Sequence, residues 1–64
     1  MAKFLKVHHR NDDDKVEKYI VNLEMITAVD EENYTIDMTD GESVCVDRAN
    51  EWDKIMSFVK ANQV

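Results

Sequence analysis

His8 and His9 are the first side chains in the chain that could do chemistry, because an imidazole serves as metal ligand, general base or proton donor near neutral pH. Their spacing argues against a shared metal. On a strand, neighbouring residues point to opposite faces, so an adjacent pair does not converge on one ion. Asp12-Asp13-Asp14 offers oxygen ligands for a hard cation. A calcium loop of the EF-hand kind sets its ligands at alternate positions, turns on a central glycine and closes on a distal bidentate glutamate. Here Lys15 follows the acidic run at once, and the run reads as a solvated turn. Cys45 is the single thiol. A thiol becomes a nucleophile beside a base or in a positive field. The expected face neighbours of Cys45 are Ser43, Asp37 and Thr35, which supply no positive field. It reads as a small side chain on a half-covered sheet face. With one glycine, the chain has no glycine-rich loop to cradle a phosphate and no Gly-x-Ser-x-Gly nucleophile context. The sequence therefore nominates no catalytic residue, no cofactor-binding residue and no metal ligand, and catalysis is not expected of it. A domain this small rarely encloses a substrate.

The elements that position these residues must come from one domain, since the chain has 64 residues. A fold near this size buries only about 60% of the surface its unfolded chain exposes. Small folds are commonly stapled by disulfides, a metal or a second subunit. One cysteine forms no internal disulfide, and no Cys/His set offers four tetrahedral ligands for zinc. Good packing or self-association remains. The opening Met1-Ala2-Lys3-Phe4-Leu5-Lys6 lacks the unbroken apolar run of a secretory leader. No segment approaches the ~20 apolar residues that span a bilayer. These readings lead to an expectation of a cytoplasmic protein without membrane contact. Eight Lys and Arg stand against 14 Asp and Glu, a formal net charge of -6. Phosphate neutralisation needs clustered cations, so nucleic acid is an unfavoured partner. Hydrophobic residues make up 44% of the chain and are patterned, which argues for a folded protein rather than a disordered one.

Period-2 alternation predicts strands over Lys3–His9, Val16–Val21, Ile26–Asp30 and Tyr34–Met38, and around Val44-Cys45-Val46. Arg10–Lys15 is a polar break, and Asn22–Met25 reads as a bend or single helical turn. Tyr19 and Val21 share one face of the second strand, with Ile20 opposite. Apolar residues on both faces suggest a central strand or a covered second face. The hairpin register follows from the pattern. A three-residue loop, Thr39-Asp40-Gly41, pairs Ile36 with Val44 and Tyr34 with Val46, so one face collects the apolar set. A two-residue loop would pair Ile36 with Cys45 and scatter it. The longer loop also places Gly41 at the left-handed position of a bulged turn, at positive φ. Trp52, Ile55, Met56 and Val59 follow helical spacing and predict a helix from about Arg48 to Ala61. Asp47 or Asn50 is the expected cap. Glu51 and Asp53 favour the positive end of the helix dipole, and Lys60 the other. The fold class is α+β: an antiparallel sheet of about five strands, a β-meander closing into a small barrel-like module, with one C-terminal helix packed on it. Ile20, Phe4 and part of the Met25–Ile26–Ala28 segment are left on a face the helix does not cover.

From Tyr19 onward the order of features resembles the small FlbD-type flagellar or swarming-motility proteins of bacteria. The matching residues are Ile20-Val21-Asn22, Ile26 with Val29, Ile36 to Glu42 through Gly41, and Val44 with Val46. A charged entry into a short amphipathic helix follows them. The resemblance covers about two-thirds of the chain, and the Asn11–Asp14 loop and the helix stripe depart from it. It implies a short β-rich, non-enzymatic protein and brings no catalytic residues. The leading expectation is a protein-interaction or structural module whose partner is another protein or a second copy. Its rival is an acidic inhibitor or nucleic-acid mimic that docks on a basic partner.

Overall fold

The computed structural model describes residues 3–64. Met1 and Ala2, where the segment read for a leader begins, lie outside the described residues. Seven elements follow in order: β1 (Phe4–Arg10), β2 (Val16–Asn22), a 3-10 turn (Leu23–Met25), β3 (Ile26–Asp30), β4 (Thr35–Met38), β5 (Ser43–Cys45) and α1 (Ala49–Ala61). The polar breaks fold as side-chain-bonded turns. Asn11 Oδ1 accepts the Asp13 and Lys15 amides, both at 3.0 Å, and Asp30 Oδ1 accepts those of Glu32 and Asn33 at 3.0 and 3.2 Å. Such residues compete with the strand ladder for backbone bonds, which is why the chain turns there.

The expected single, barrel-like sheet is not what forms. The strands make two antiparallel sheets, β1-β2 and β3-β4-β5, and no closed barrel. Two local causes are visible. Asn22 caps the 3-10 turn by accepting the Glu24 amide, which redirects the chain before β3. At the other junction β5 is only three residues long. Beyond it β1 and the chain leaving β5 share one isolated bridge, His9↔Val46. The next backbone donor on that side of β1, the His8 N–H, bonds a side chain of α1 instead of a strand.

The hairpin register agrees with the alternation. Ile36 pairs with Val44 and Asp37 with Ser43, and Gly41 sits at φ 89°. The Gly41 amide donates to Met38 O at 3.0 Å, and the Val46 amide to Tyr34 O at 2.9 Å. Val7, Val21, Leu23, Ile36, Val44, Val46, Trp52 and Ile55 form one buried cluster that spans both sheets and the helix. Trp52 anchors α1 and meets the Tyr34 ring in a T-shaped contact at 5.3 Å between centroids. Tyr34 holds φ 53°, a left-handed backbone unusual for an aromatic residue. The expected cap is corrected. Arg48 occupies the N-cap position with no side-chain bond. Asp47 is unavailable because its carboxylate binds Arg10, at 2.9 Å from Nε and 2.5 Å from Nη2.

Candidate functional site

Two features hold the residues that could bear function: a polar seam between the sheets, and the outer side of the β1-β2 ribbon. The seam is built by three successive residues of β1. His8 donates its backbone N–H to Glu51 Oε1 at 2.7 Å, and its ring Nδ1 lies 2.7 Å from Glu51 Oε2. A carboxylate only accepts, so the His8 proton sits on Nδ1. The Asp47 amide donates to the His8 carbonyl at 2.8 Å. His9 points the other way. Its Nδ1 accepts the Cys45 amide at 2.9 Å, so a neutral His9 ring carries its proton on Nε2. When neutral, the adjacent imidazoles thus hold opposite tautomers, fixed by opposite partners. Arg10 completes the seam with Asp47 and also bonds Asp14 at 2.6 Å.

Glu51 is only 8% exposed. Burial pushes its carboxyl pKa up. The His8 backbone and ring bonds, the charge of a protonated His8 and the charge of Arg48 outweigh that, so the net shift is downward. Arg10, between two carboxylates, is held above the ordinary guanidinium value by its bonds to Asp14 and then Asp47. Asp30 lies below its ordinary value, because the Asn33 side chain and then its amide bond the ionised form.

The structure separates the other candidates. His8 and His9 take different partners on opposite faces. Asp12 and Asp13 stay on an exposed turn, and Asp14, at φ 62°, turns to Arg10. Among the described residues, no three His, Cys, Asp or Glu side chains are grouped to hold a metal ion. Cys45 is half-buried beside Thr35, its cross-strand partner, with Sγ 4.0 Å from the Asn33 carbonyl. Glu51 was not legible as a seam residue. It lies 43 residues from His8, and an acid in the first helical turn already has a sufficient explanation in the helix dipole.

The second feature is the surface of the ribbon. The β1↔β2 register places Phe4, Lys6, His8 and Arg10 beside Asn22, Ile20, Lys18 and Val16 on one face. The strand residues on that face include no acid; its carboxylates are those that hold His8 and Arg10, from Glu51, Asp47 and Asp14. Ile20 is 71% exposed, Phe4 64% and Val16 43%. β2 is an edge strand, so the reading of a central strand or a covered second face is corrected. Met25, 47% exposed, extends the apolar surface. Of the Met25–Ile26–Ala28 segment, Ala28 is exposed as well, and Ile26 packs against the core. Along the free edge of β2 runs an open groove of about 390 Å³. One wall is Phe4, Tyr19 and Ile20; the other is Met38 with the hairpin acids Asp40 and Glu42.

Comparison with protein families, with curated proteins and with solved structures finds no match for the chain. The likeness to FlbD-type proteins therefore rests on the residue pattern alone. No helix among the described residues is long and apolar enough to cross a membrane.

Proposed function

We propose that the chain is a small, cytoplasmic, non-enzymatic protein-interaction module that engages its partner through the ribbon face and the groove beside it. The observation that carries this is the exposure of Phe4 and Ile20, 64% and 71%, next to an unpaired strand edge. Large apolar side chains gathered beside an open edge mark interaction surfaces more often than scattered ones do. The side chains that could have served catalysis are spent on structure, His8 on Glu51 and His9 on the Cys45 amide. The short β-rich outline fits the non-enzymatic character that the FlbD-type resemblance implies. A nucleic-acid mimic would gather its carboxylates on one face. Here they are spread over the turns, β2, β4 and the helix, and Asp14, Asp30, Asp37, Asp40 and Asp47 are engaged in internal hydrogen bonds.

The test is paired affinity capture with the wild-type chain and a Phe4→Ser/Met25→Ser chain, followed by direct binding between purified components. A partner that binds the wild type and is lost with the double variant is the expected result. Equal binding by both chains, with folding unchanged, would overturn this surface as the docking site.

A further inference from the structure

We propose that the free edge of β2 pairs with the same edge of a second copy, antiparallel about a two-fold axis at Tyr19, joining two ribbons into one four-stranded sheet. This rests on the interaction-module reading and names its partner. The unpaired groups on that edge follow from the register. His8 sends its N–H to Glu51 and receives the Asp47 amide at its carbonyl, so both its backbone groups point away from β2. The His8↔Lys18 pair is therefore a non-hydrogen-bonded one, and pairs alternate along an antiparallel ladder. Val16, Lys18, Ile20 and Asn22 accordingly direct their N–H and C=O groups to the free edge.

Three observations favour a second copy and this register. A two-fold axis at Tyr19 pairs Val16 with the partner's Asn22 and Lys18 with the partner's Ile20. It is the one two-fold register in which all seven residues of β2 are paired. Each outward-directed residue then meets another outward-directed residue, as the bonds require. Moving the axis to Lys18 would set like charges opposite each other, which is unfavourable. The second observation is charge. Ile20 lines the same groove as Asp40 and Glu42. The partner's Lys18, opposite Ile20, arrives beside these carboxylates, and symmetry repeats the contact. The third concerns the free edge of the second sheet. β3 is five residues long with a register shift between Ile26 and Ala28. A bulge of that kind blunts an edge against pairing, whereas β2 is regular throughout.

Sedimentation equilibrium over a wide concentration range, with amide hydrogen exchange at both ends of it, tests the proposal. The expected mass rises from one chain to two, and the Lys18 and Ile20 amides gain protection as it does. Ile20→Pro removes an edge donor without touching the β1 ladder and should leave a folded monomer. Lys18→Glu should weaken dimerisation on the order of tenfold, since two attractive contacts become repulsive. Adding Asp40→Lys and Glu42→Lys to Lys18→Glu should restore it. A single-chain mass at every concentration overturns the dimer. So does a dimer that survives Ile20→Pro unweakened, or a wild-type dimer whose Lys18 and Ile20 amides exchange freely. In either case the interaction-module reading still stands or falls on the Phe4→Ser/Met25→Ser comparison.

Discussion

Replacing Glu51 by alanine strips the acceptor from the His8 N–H and from the His8 ring together. An unsatisfied, largely buried donor costs about 1–3 kcal/mol, so Glu51→Ala should destabilise by that order in urea unfolding. Glu51→Gln should cost less. Its amide oxygen can still accept the backbone N–H, and its NH2 can donate to Nδ1 once the imidazole proton moves to Nε2. The two variants also part in their pH dependence. The folded carboxyl pKa of Glu51 lies below the unfolded value of about 4.3. Its contribution is therefore fully present above that value and fades as pH falls through the lower, folded one. The stability gap between wild type and Glu51→Gln should narrow below about pH 4.3. A gap that stays constant into acid would show that the carboxylate charge is not what His8 recognises. Gly41 makes a contrasting case at the same scale, because it was legible. Alternation on both strands of the hairpin left one register and one position for a positive φ. No atom lies within 4 Å of where a Cβ would sit. Gly41→Ala should therefore cost only the left-handed backbone penalty, about 1–2 kcal/mol. Glu51 and Gly41 differ in range: the turn is solved within a few residues, whereas the Glu51 contact exists only once helix and ribbon have met.

Element boundaries followed the same rule. The hairpin, the 3-10 turn and the helix were set by local alternation, turn residues and 3–4 spacing, and all appear close to where the pattern puts them. The helix cap was not so fixed. Asp47 has the right chemistry but sits one residue before the cap position, and Arg10 draws its carboxylate across the seam. The helix start is consequently uncapped, with Arg48 in the extended conformation that a capping residue needs, φ -112° and ψ 129°. Arg48→Ser should supply the missing acceptor to the first-turn amides and stabilise the protein by about 1 kcal/mol, read as a raised urea midpoint at unchanged slope. Trp52 sets the opposite limit for α1. The residue is 8% exposed and makes a T-shaped contact with Tyr34, so Trp52→Ala should cost about 3–5 kcal/mol. A loss below 1 kcal/mol would mean that the helix is held mainly by Ile55 and the Glu51 bonds.

Closure of the whole molecule was the part the sequence could not specify. Alternation fixes which face of each strand is apolar, but it does not say whether the last strand reaches the first. That depends on where β5 stops and on what the first turn of α1 offers the β1 edge. Here a glutamate, two histidines and an arginine do the joining that a continuous ladder would have done. Side-chain bonds across a seam are weaker glue than a sheet, yet the core beneath is shared. Val7 and Val21 come from the ribbon, Ile36 and Val44 from the second sheet and Ile55 from the helix, all in one cluster. A two-stranded ribbon has little stability by itself. Once the helix leaves, neither sheet retains enough buried surface to persist. Unfolding should therefore be a single cooperative event, with Trp52 fluorescence and far-UV circular dichroism giving coincident urea transitions. The same coincidence should hold for Glu51→Ala at a lower midpoint, because cutting the seam removes bonds without dividing the cluster. Two resolved transitions, with Trp52 reporting only one of them, would mean that the sheets fold as separate units and that the seam, not the core, makes the protein one body.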